Sequence, residues 1–385
     1  MRQVEYIKLF RQGVRKAYND IKEILPRFRF MGSYVSSREL TSGNINDTYV
    51  LTYRNGERTM MYTLQRINTY VFKDPQLVMQ NIASVTKHLK ASQIRHGSYD
   101  ERHVLELVRT VDGDVMHKDA RHGVWRAYTY ITDALAPDVV DDPAQMEEVG
   151  RAFGRFQRDL ADFPAAQLSE TIPNFHNTTK RFYDFVRAVD NDRAGHVREM
   201  EDEIEFFFER RRMMGEIVRL MDNNVIPLRV THNDTKSNNV LLDNKTGEAL
   251  CVIDLDTVMP GSALYDYGDA VRFGASTARE DEEDTSLIRL DMDKTRAFTR
   301  GFVQETSGIL SQEELSRLPM GIKVMTAELA MRFFTDYLDG DIYFKVNSPQ
   351  HNLVRTRAQM ALLMDIERRE EELMEMVQRY LTRYA

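Results

Sequence analysis

The chain has 385 residues, 42% hydrophobic, 10% aromatic and 29% charged, which excludes an intrinsically disordered protein and predicts a globular one of two lobes. Its 60 acidic residues outnumber 52 basic ones, and the net charge of -8 excludes a global positive field that would recruit nucleic acid or anionic lipid. The single cysteine, Cys251, forms no intramolecular disulfide, Met1 to Lys8 are charged where a signal peptide needs an apolar run, and no segment has the length of a membrane span, so the expectation is a cytoplasmic protein without membrane association.

Val4, Ile7, Val14, Ala17, Ile21 and Ile24 recur at helical spacing and predict an amphipathic helix over 2–25 that ends at Pro26 and packs on the first lobe. Residues 27–132 then read as a mainly antiparallel sheet with one helix. Strands are predicted from Phe28 to Val35, Thr48 to Tyr53 and Thr59 to Leu64, with turns at Gly43-Asn44 and Asn55-Gly56. A helix follows from Pro75 to about Ser92, carrying Val78, Ile82, Val85 and Leu89 on one face. Strands from His103 to Arg109 and Val124 to Ile131 flank the turn Asp112-Gly113-Asp114, and Trp125 belongs to the core.

From residue 133 the pattern becomes helical. Met146, Val149, Phe153, Phe156 and Leu160 form one buried stripe, and further helical patterns cover 178–190, 200–222, 291–305, 319–338 and 352–383. The lobe boundary is expected near Thr132-Asp133, giving an α+β chain with an antiparallel-sheet lobe and a mainly helical lobe over 133–385. The charged run from Arg279 to Asp284 reads as a solvated loop.

The chemistry concentrates in Thr231-His232-Asn233-Asp234-Thr235-Lys236-Ser237-Asn238-Asn239, followed by a hairpin and a strand that ends at Ile253-Asp254. Phosphoryl transfer needs a carboxylate to take the proton of the acceptor hydroxyl, divalent metal on the triphosphate and a positive group beside the moving phosphate. Asp234 suits the first role, Asn239 and Asp254 offer hard oxygens to Mg2+, and Lys236 can reach a terminal phosphate. The spacing from Asp234 to Asn239 is also that of the protein-kinase catalytic loop. Ahead of it, the turn from Thr41 to Tyr49, with Gly43, Asn44, Ile45, Asn46 and Thr48, can present backbone amides to the phosphates of ATP.

The pattern His232-x-Asp234-x4-Asn239, Ile253-Asp254 and Tyr265-Asp266-Tyr267-Gly268-Asp269 resembles the aminoglycoside phosphotransferase and choline kinase-like family of small-molecule kinases. Within it the chain is similar to the bacterial N-acetylhexosamine 1-kinases from about residue 30 onward, through Pro227 to Lys236, Met259-Pro260-Gly261-Ser262, Arg272 to Thr277, Gly340 to Phe344 and His351 to Arg357. The resemblance implies a bilobal protein kinase-like fold and ATP- and Mg2+-dependent phosphorylation of the anomeric hydroxyl of N-acetylglucosamine or N-acetylgalactosamine. It implies Asp234 as catalytic base, Asn239 and Asp254 as metal ligands, and Tyr130 and Ile131 beside adenine. Arg332 and Tyr343 are implied as sugar-binding residues, each with a structural hydrogen-bonding role as its alternative.

Departures accompany the resemblance. Where most kinases carry a lysine on the third strand, this chain has Gln65, and no glutamate lies between Asp74 and Ser92 to pair with one. Arg66 points to the opposite face in a regular strand. The phosphate charge is therefore expected to fall to Lys236, the metal and loop amides. His176 is assigned to the sugar pocket, with capping of the following helix as the alternative, and Asp256 either supports the metal site or touches a second ion. The competing readings are a same-fold kinase for an aminoglycoside, amino alcohol or other sugar, and a nucleotide-binding pseudokinase. The partners expected are small molecules, ATP and an amino sugar, with neither nucleic acid nor membrane, and the oligomeric state is left open.

Overall fold

The computed structural model describes residues 21–40 and 45–384. Of the helix predicted over 2–25, only the end falls within them: 21–24 are helical and a 3-10 turn over Leu25–Arg27 follows. The chain divides into two compact units, Met1–Lys87 with Asp100–Thr132, and His88–Tyr99 with Asp133–Ala385. Together they make a bilobal α+β kinase-like fold, with an antiparallel sheet in the first unit and mainly helices in the second.

The first unit contains β1 (Ser33–Leu40), β2 (Asp47–Asn55), β3 (Arg58–Ile67), the part of α1 (Pro75–Arg95) up to Lys87, β4 (Leu107–Val108), β5 (His117–Asp119) and β6 (Gly123–Thr129). They form an antiparallel sheet in the order β1-β2-β3-β6-β4, with β5 on β6. Side chains alternate across it. Tyr49, Leu51, Tyr53, Tyr62, Leu64, Trp125 and Ala127 pack with Ile21, Ile24 and Phe28 into one apolar layer. The opposite face carries Thr48, Gln65 and Arg126, which sit directly across from one another in the β2-β3-β6 register.

Two strand expectations shift here. Phe28 makes only an isolated bridge to Thr110, and regular pairing begins at Ser33. The strand expected from His103 shortens to two residues, because Asp100 and Arg102 fold the chain into a turn in which Asp100 Oδ1 accepts from the Arg102 amide at 2.7 Å. The end of α1 groups with the second unit, where His88 and Arg95 both pair with Asp162 and Gln93 reaches Asp159.

The second unit continues with β7 (Ala134–Leu135), α2 (Pro143–Asp159), α3 (Thr178–Asn191), α4 (Glu201–Met214), α5 (Glu216–Asp222), β8 (Arg229–Thr231), β9 (Val240–Asp243), β10 (Ala249–Val252), β11 (Met259–Gly261), α6 (Ala263–Gly274), α7 (Met292–Thr306), α8 (Gln312–Leu315), α9 (Leu318–Asp339), α10 (His351–Arg368) and α11 (Glu370–Tyr384). The single helix expected over 200–222 breaks at Gly215, and that over 352–383 breaks at Arg369, whose amide still bonds back to Asp365 and Ile366.

The core is built on α9, which is buried nearly all round. α6 crosses it so closely that a Cβ on Gly268 would stand 2.2 Å from the Gly321 carbonyl oxygen, and one on Gly321 would stand 2.3 Å from that of Leu264. Only glycines at the crossing permit this backbone approach. It matters for chemistry because α6 and α9 carry the acids that hold the loop from His232 to Asn239.

Candidate active site

The loop begins where β8 ends. β8 pairs with β11, so that Thr231 lies opposite Met259, and β9 pairs with β10, so that Val240 lies opposite Val252. These short ribbons bring the loop and the segment from Ile253 to Asp256 side by side. Asn233 and Asp254 both take left-handed backbone conformations, with φ of 65° and 58°, as asparagine and aspartate do more readily than other non-glycine residues.

His232 is a buried strut between the two segments. Its Nδ1 accepts the Asp234 amide at 3.3 Å and its Nε2 donates to the Ile253 carbonyl at 2.9 Å, a pair of bonds that fixes the Nε2–H tautomer. The rings of Phe153 and Phe156 meet it edge to face. Asn233 donates from Nδ2 to the Thr257 carbonyl at 2.8 Å, and the Thr257 hydroxyl donates to the His232 carbonyl at 2.7 Å.

Asp234 is half-buried. Its Oδ1 lies 3.0 Å from Lys236 Nζ, and its Oδ2 accepts from Asn239 Nδ2 at 3.3 Å. The neighbouring Asp234 carboxylate raises the pKa of Lys236 above its ordinary value, against the opposing effect of burial, so Lys236 is a cation at neutral pH. The expected neighbours Asp234, Lys236 and Asn239 are thus brought together.

The Asn239 carboxamide spends its nitrogen on the Asp234 carbonyl at 2.8 Å and carboxylate, so its Oδ1 is directed elsewhere. The Asn239 carbonyl accepts the Ile253 amide at 2.9 Å, which sets Asn239 and Asp254 at one end of the β9-β10 pair. A carboxamide oxygen and a carboxylate are hard donors, and Mg2+ takes few protein ligands beside phosphate oxygens and water. The donor set fits that ion, and among the described residues no group of three or more His, Cys, Asp or Glu side chains is built to hold a metal entirely by protein. Asp256 is buried two residues on, in a 3-10 turn.

Behind the loop stand two acids of α6, whose i, i+3 spacing puts them on one helix face. Asp266 accepts the amides of His232 at 2.9 Å and Asn233 at 2.8 Å, and Gln157 Nε2 at 2.8 Å. Asp269 accepts the Thr235 amide at 3.1 Å and takes Arg272 at 2.7 Å on its other oxygen. Burial disfavours the charge on Asp269, but Arg272 outweighs it and the carboxyl is held below its usual range. Arg272 in turn reaches Glu280 at 2.6 Å, and Asp281 lies 3.5 Å from His351. This corrects the expectation that the run from Arg279 to Asp284 is merely solvated: Glu280 pairs with the buried Arg272, and Asp281 lies beside His351 and Arg279.

His176 also needs correction. Its Nδ1 lies 3.0 Å from Glu328 and its Nε2 lies 3.2 Å from the Asn233 carbonyl, so both ring nitrogens are spent on protein acceptors and neither is left for a sugar. Nor does it cap the next helix, a role taken by Asn177, whose side chain accepts the Lys180 amide. Burial opposes a charge on His176, yet the Glu328 carboxylate raises its pKa above the ordinary value, making the pair an imidazolium-carboxylate strut from α9 to the loop.

Arg332 extends the same helix face one turn, 3.8 Å from Glu328. Its guanidinium stands 5.4, 6.0 and 5.6 Å from the ring centroids of Phe175, Tyr343 and Phe344. Tyr343 is 65% exposed and sits on a loop whose backbone is held by one side chain. Asp336 accepts the amides of Ile342 at 3.0 Å, Tyr343 at 2.7 Å and Phe344 at 2.9 Å, as well as Asn352 Nδ2 at 2.9 Å. Arg181 donates to the Phe175 carbonyl, and burial followed by the charge of Arg332 lowers its pKa.

In the first unit, the Asn46 Oδ1 accepts the Asn68 amide at 2.9 Å and Asn68 Nδ2 donates to the Ile45 carbonyl at 3.2 Å, fixing the end of the turn. Gly43 and Asn44 lie outside the described residues. Thr48 Oγ1 accepts Gln65 Nε2 at 3.0 Å, and Gln65 Oε1 accepts Arg126 Nε at 2.9 Å. Arg66, on the other face, pairs with Asp47 at 2.7 Å. The Tyr130 amide donates to the Met61 carbonyl at 3.1 Å as β6 ends, and Ile131 is buried beside it.

The roles of Asp266, Asp269, Glu328, Asp336 and Arg126 escape a reading of the sequence, although the first two stand in a segment that carries the resemblance. Their helical spacing alone, Asp266 with Asp269 and Glu328 with Arg332 and Asp336, was a usable signal.

A family model described as the phosphotransferase enzyme family, APH, matches residues 36–302. Among solved structures, the fold is similar to a microcompartment-associated aminopropanol kinase, with a TM-score of 0.60, 14% identity, and coverage of 92% of this chain and 98% of that one. It is similar to spectinomycin phosphotransferase APH(9)-Ia, solved with ADP and spectinomycin, with a TM-score of 0.53 and 12% identity over 91% of this chain and 97% of that one. A choline kinase from Cryptosporidium parvum gives a TM-score of 0.54 and 13% identity over 92% and 95%. A model match that spans more than half of the chain, on a bilobal fold shared with small-molecule kinases, places this protein in the phosphotransferase enzyme family, APH.

Proposed function

We propose that the protein is an ATP- and Mg2+-dependent kinase that phosphorylates the anomeric hydroxyl of an N-acetylhexosamine, N-acetylglucosamine or N-acetylgalactosamine. Asp234 accepts the proton as the acceptor oxygen bonds to the γ-phosphorus, and the bond to the oxygen bridging the β- and γ-phosphates breaks to release ADP. Lys236, held against Asp234, is placed to meet charge on the transferred group. Asn239 and Asp254 would hold Mg2+, whose chemistry is to neutralise the triphosphate. Ile45, Asn46 and Thr48, with Gly43 and Asn44, are assigned to the phosphates, and Tyr130 and Ile131 to adenine.

The observation that carries the acceptor reading is the guanidinium of Arg332 against Phe175, Tyr343 and Phe344, with Arg181 close by. An aromatic cluster can bind an ammonium group, as a choline kinase must, but this one is already faced by a fixed cation. A second cation there is repelled, whereas the acetamido oxygen and hydroxyls of a neutral amino sugar accept from arginine and tyrosine. The same observation favours, as second reading, another neutral polyol within the family.

Incubation with ATP, Mg2+ and a panel of N-acetylglucosamine, N-acetylgalactosamine, glucose, galactose, choline and 1-amino-2-propanol tests this. The expected result is ADP release with the N-acetylhexosamines and a product phosphate cleaved by mild acid. Turnover confined to the amines, or an acid-stable product, would overturn it.

A further inference from the structure

The third strand of the sheet presents a neutral Gln65 where the kinase pattern places the lysine that meets the nucleotide phosphates. The same face nevertheless contains a cation. Arg126 stands directly across from Gln65 in the β3-β6 register, only 1% exposed, with its Nε 2.9 Å from Gln65 Oε1 and its Nη1 3.9 Å from the Met79 sulfur. Gln65 continues the chain to Thr48 on β2, close to the end of the phosphate-covering turn. The guanidinium also lies over the Tyr128 ring, 5.4 Å from its centroid.

The helix α1 from Pro75 to Arg95 contains no Asp or Glu, so the lysine-glutamate pair of kinases has no counterpart here on either side. An arginine keeps its charge when buried, and the field of a desolvated charge is screened less than that of an exposed one. The Gln65 amide, which holds Arg126 by its oxygen and Thr48 by its nitrogen, ties that charge to the phosphate turn.

We infer that Arg126 has taken over the task of the absent strand lysine, supplying the positive charge of the sheet lobe to the phosphates of ATP from behind Gln65. The inference rests on the kinase reading above, but concerns nucleotide binding alone. Arg126 thereby discriminates ATP from an uncharged nucleoside.

The test is calorimetric titration of the full-length protein and of R126M, R126Q and R126M/Q65K with Mg-ATP and, separately, with adenosine, alongside thermal melts. The field of one buried charge acting across the Gln65 side chain on a phosphate corresponds to about 10- to 100-fold in affinity. The expected result is that R126M loses about that factor for ATP while its adenosine affinity stays within about twofold of wild type, and that lysine at position 65 restores part of the loss. Should R126M fail to fold, R126Q, which can still donate to Gln65, is held to the same ATP-to-adenosine ratio.

An unchanged ratio in a folded variant overturns the inference, as does a parallel loss of both ligands, which marks a structural role. The two readings fail separately. Wild-type protein that binds no Mg-ATP removes the kinase reading itself, whereas tight ATP binding that is indifferent to residue 126 removes only this one.

Discussion

Replacing Asp336 by asparagine tests whether the loop carrying Tyr343 belongs to acceptor binding. Asp336 Oδ1 accepts the amides of Ile342 and Tyr343, and Oδ2 accepts the amide of Phe344 and Asn352 Nδ2, all between 2.7 and 3.0 Å. Asparagine keeps one acceptor oxygen and turns an NH2 group toward two donors, so two of the four bonds are lost whichever way the amide faces. Bonds to a charged group contribute about 1.5–3 kcal/mol each, and the loop is open enough for water to recover part of that, which leaves about 2–3 kcal/mol against the ordered loop. If the acceptor binds only the ordered loop, its apparent affinity falls by up to roughly 100-fold, while ATP, bound by other residues, is unaffected. Steady-state kinetics with each substrate varied separately, on a variant whose melting curve stays cooperative, measures the split. An acceptor KM within about twofold of wild type, or both KM values rising together, would show that the loop is not part of the acceptor site.

Three further perturbations have definite signs. Asp234→Asn keeps the shape and an acceptor for only one of the two donors Lys236 and Asn239, and removes the base, so kcat should fall by about 100- to 10,000-fold with ATP affinity retained by calorimetry; near-normal kcat would remove Asp234 from that role. The raised pKa of His176 means that its contribution to stability is complete below its ordinary value of 6.5 and is lost as pH rises through the higher folded value. Wild-type protein should therefore lose melting temperature as pH rises through that interval above 6.5, relative to His176→Gln, and parallel curves would show that the strut is uncharged. Gly268→Ala drives a Cβ to 2.2 Å from the Gly321 oxygen, and denaturant titration should show a loss of at least about 1–3 kcal/mol. An unchanged midpoint would mean that α6 and α9 can separate at no cost.

Periodicity located most helices because α2, α3 and α7 each bury one stripe and expose the rest, as in Met146, Val149, Phe153 and Phe156 of α2. It ran together α4 with α5 and α10 with α11, since at Gly215 and Arg369 the amides still bond back to the preceding helix and no proline marks the break. Asp234, Asn239 and Asp254 were legible because close sequence spacing and a hairpin bring them together. Arg126 was not: its relation to Gln65 spans 61 positions and depends on which strand lies beside β3, a matter of sheet order. His176 was assigned to substrate from residue type alone, and only the position of Glu328, 152 residues away, shows what occupies its nitrogens. Gly43 and Asn44 lie outside the described residues, so that part of the expected phosphate turn stays as the sequence left it.

The arrangement around Asp234 has a physical logic that its own residues do not reveal. A loop that must hold a carboxylate, a lysine and a carboxamide in register cannot rely on its short 3-10 turn for rigidity. The rigidity comes instead from helices, through acids that accept the loop's amides: Asp266 those of His232 and Asn233, Asp269 that of Thr235. Glu328 acts through His176 on the carbonyl of Asn233. Buried acids are costly alone, and here Arg272 meets Asp269 and His176 meets Glu328, whereas Asp266 is met by two backbone amides and Gln157 and burial raises its pKa above the ordinary value. The same device recurs farther along α9, where Asp336 gathers three consecutive amides of the Tyr343 loop. One rigid helix thus supports both the loop proposed to carry the proton acceptor and the loop proposed to hold the sugar, which is why a change at Glu328 should perturb kcat whereas one at Asp336 should perturb acceptor KM.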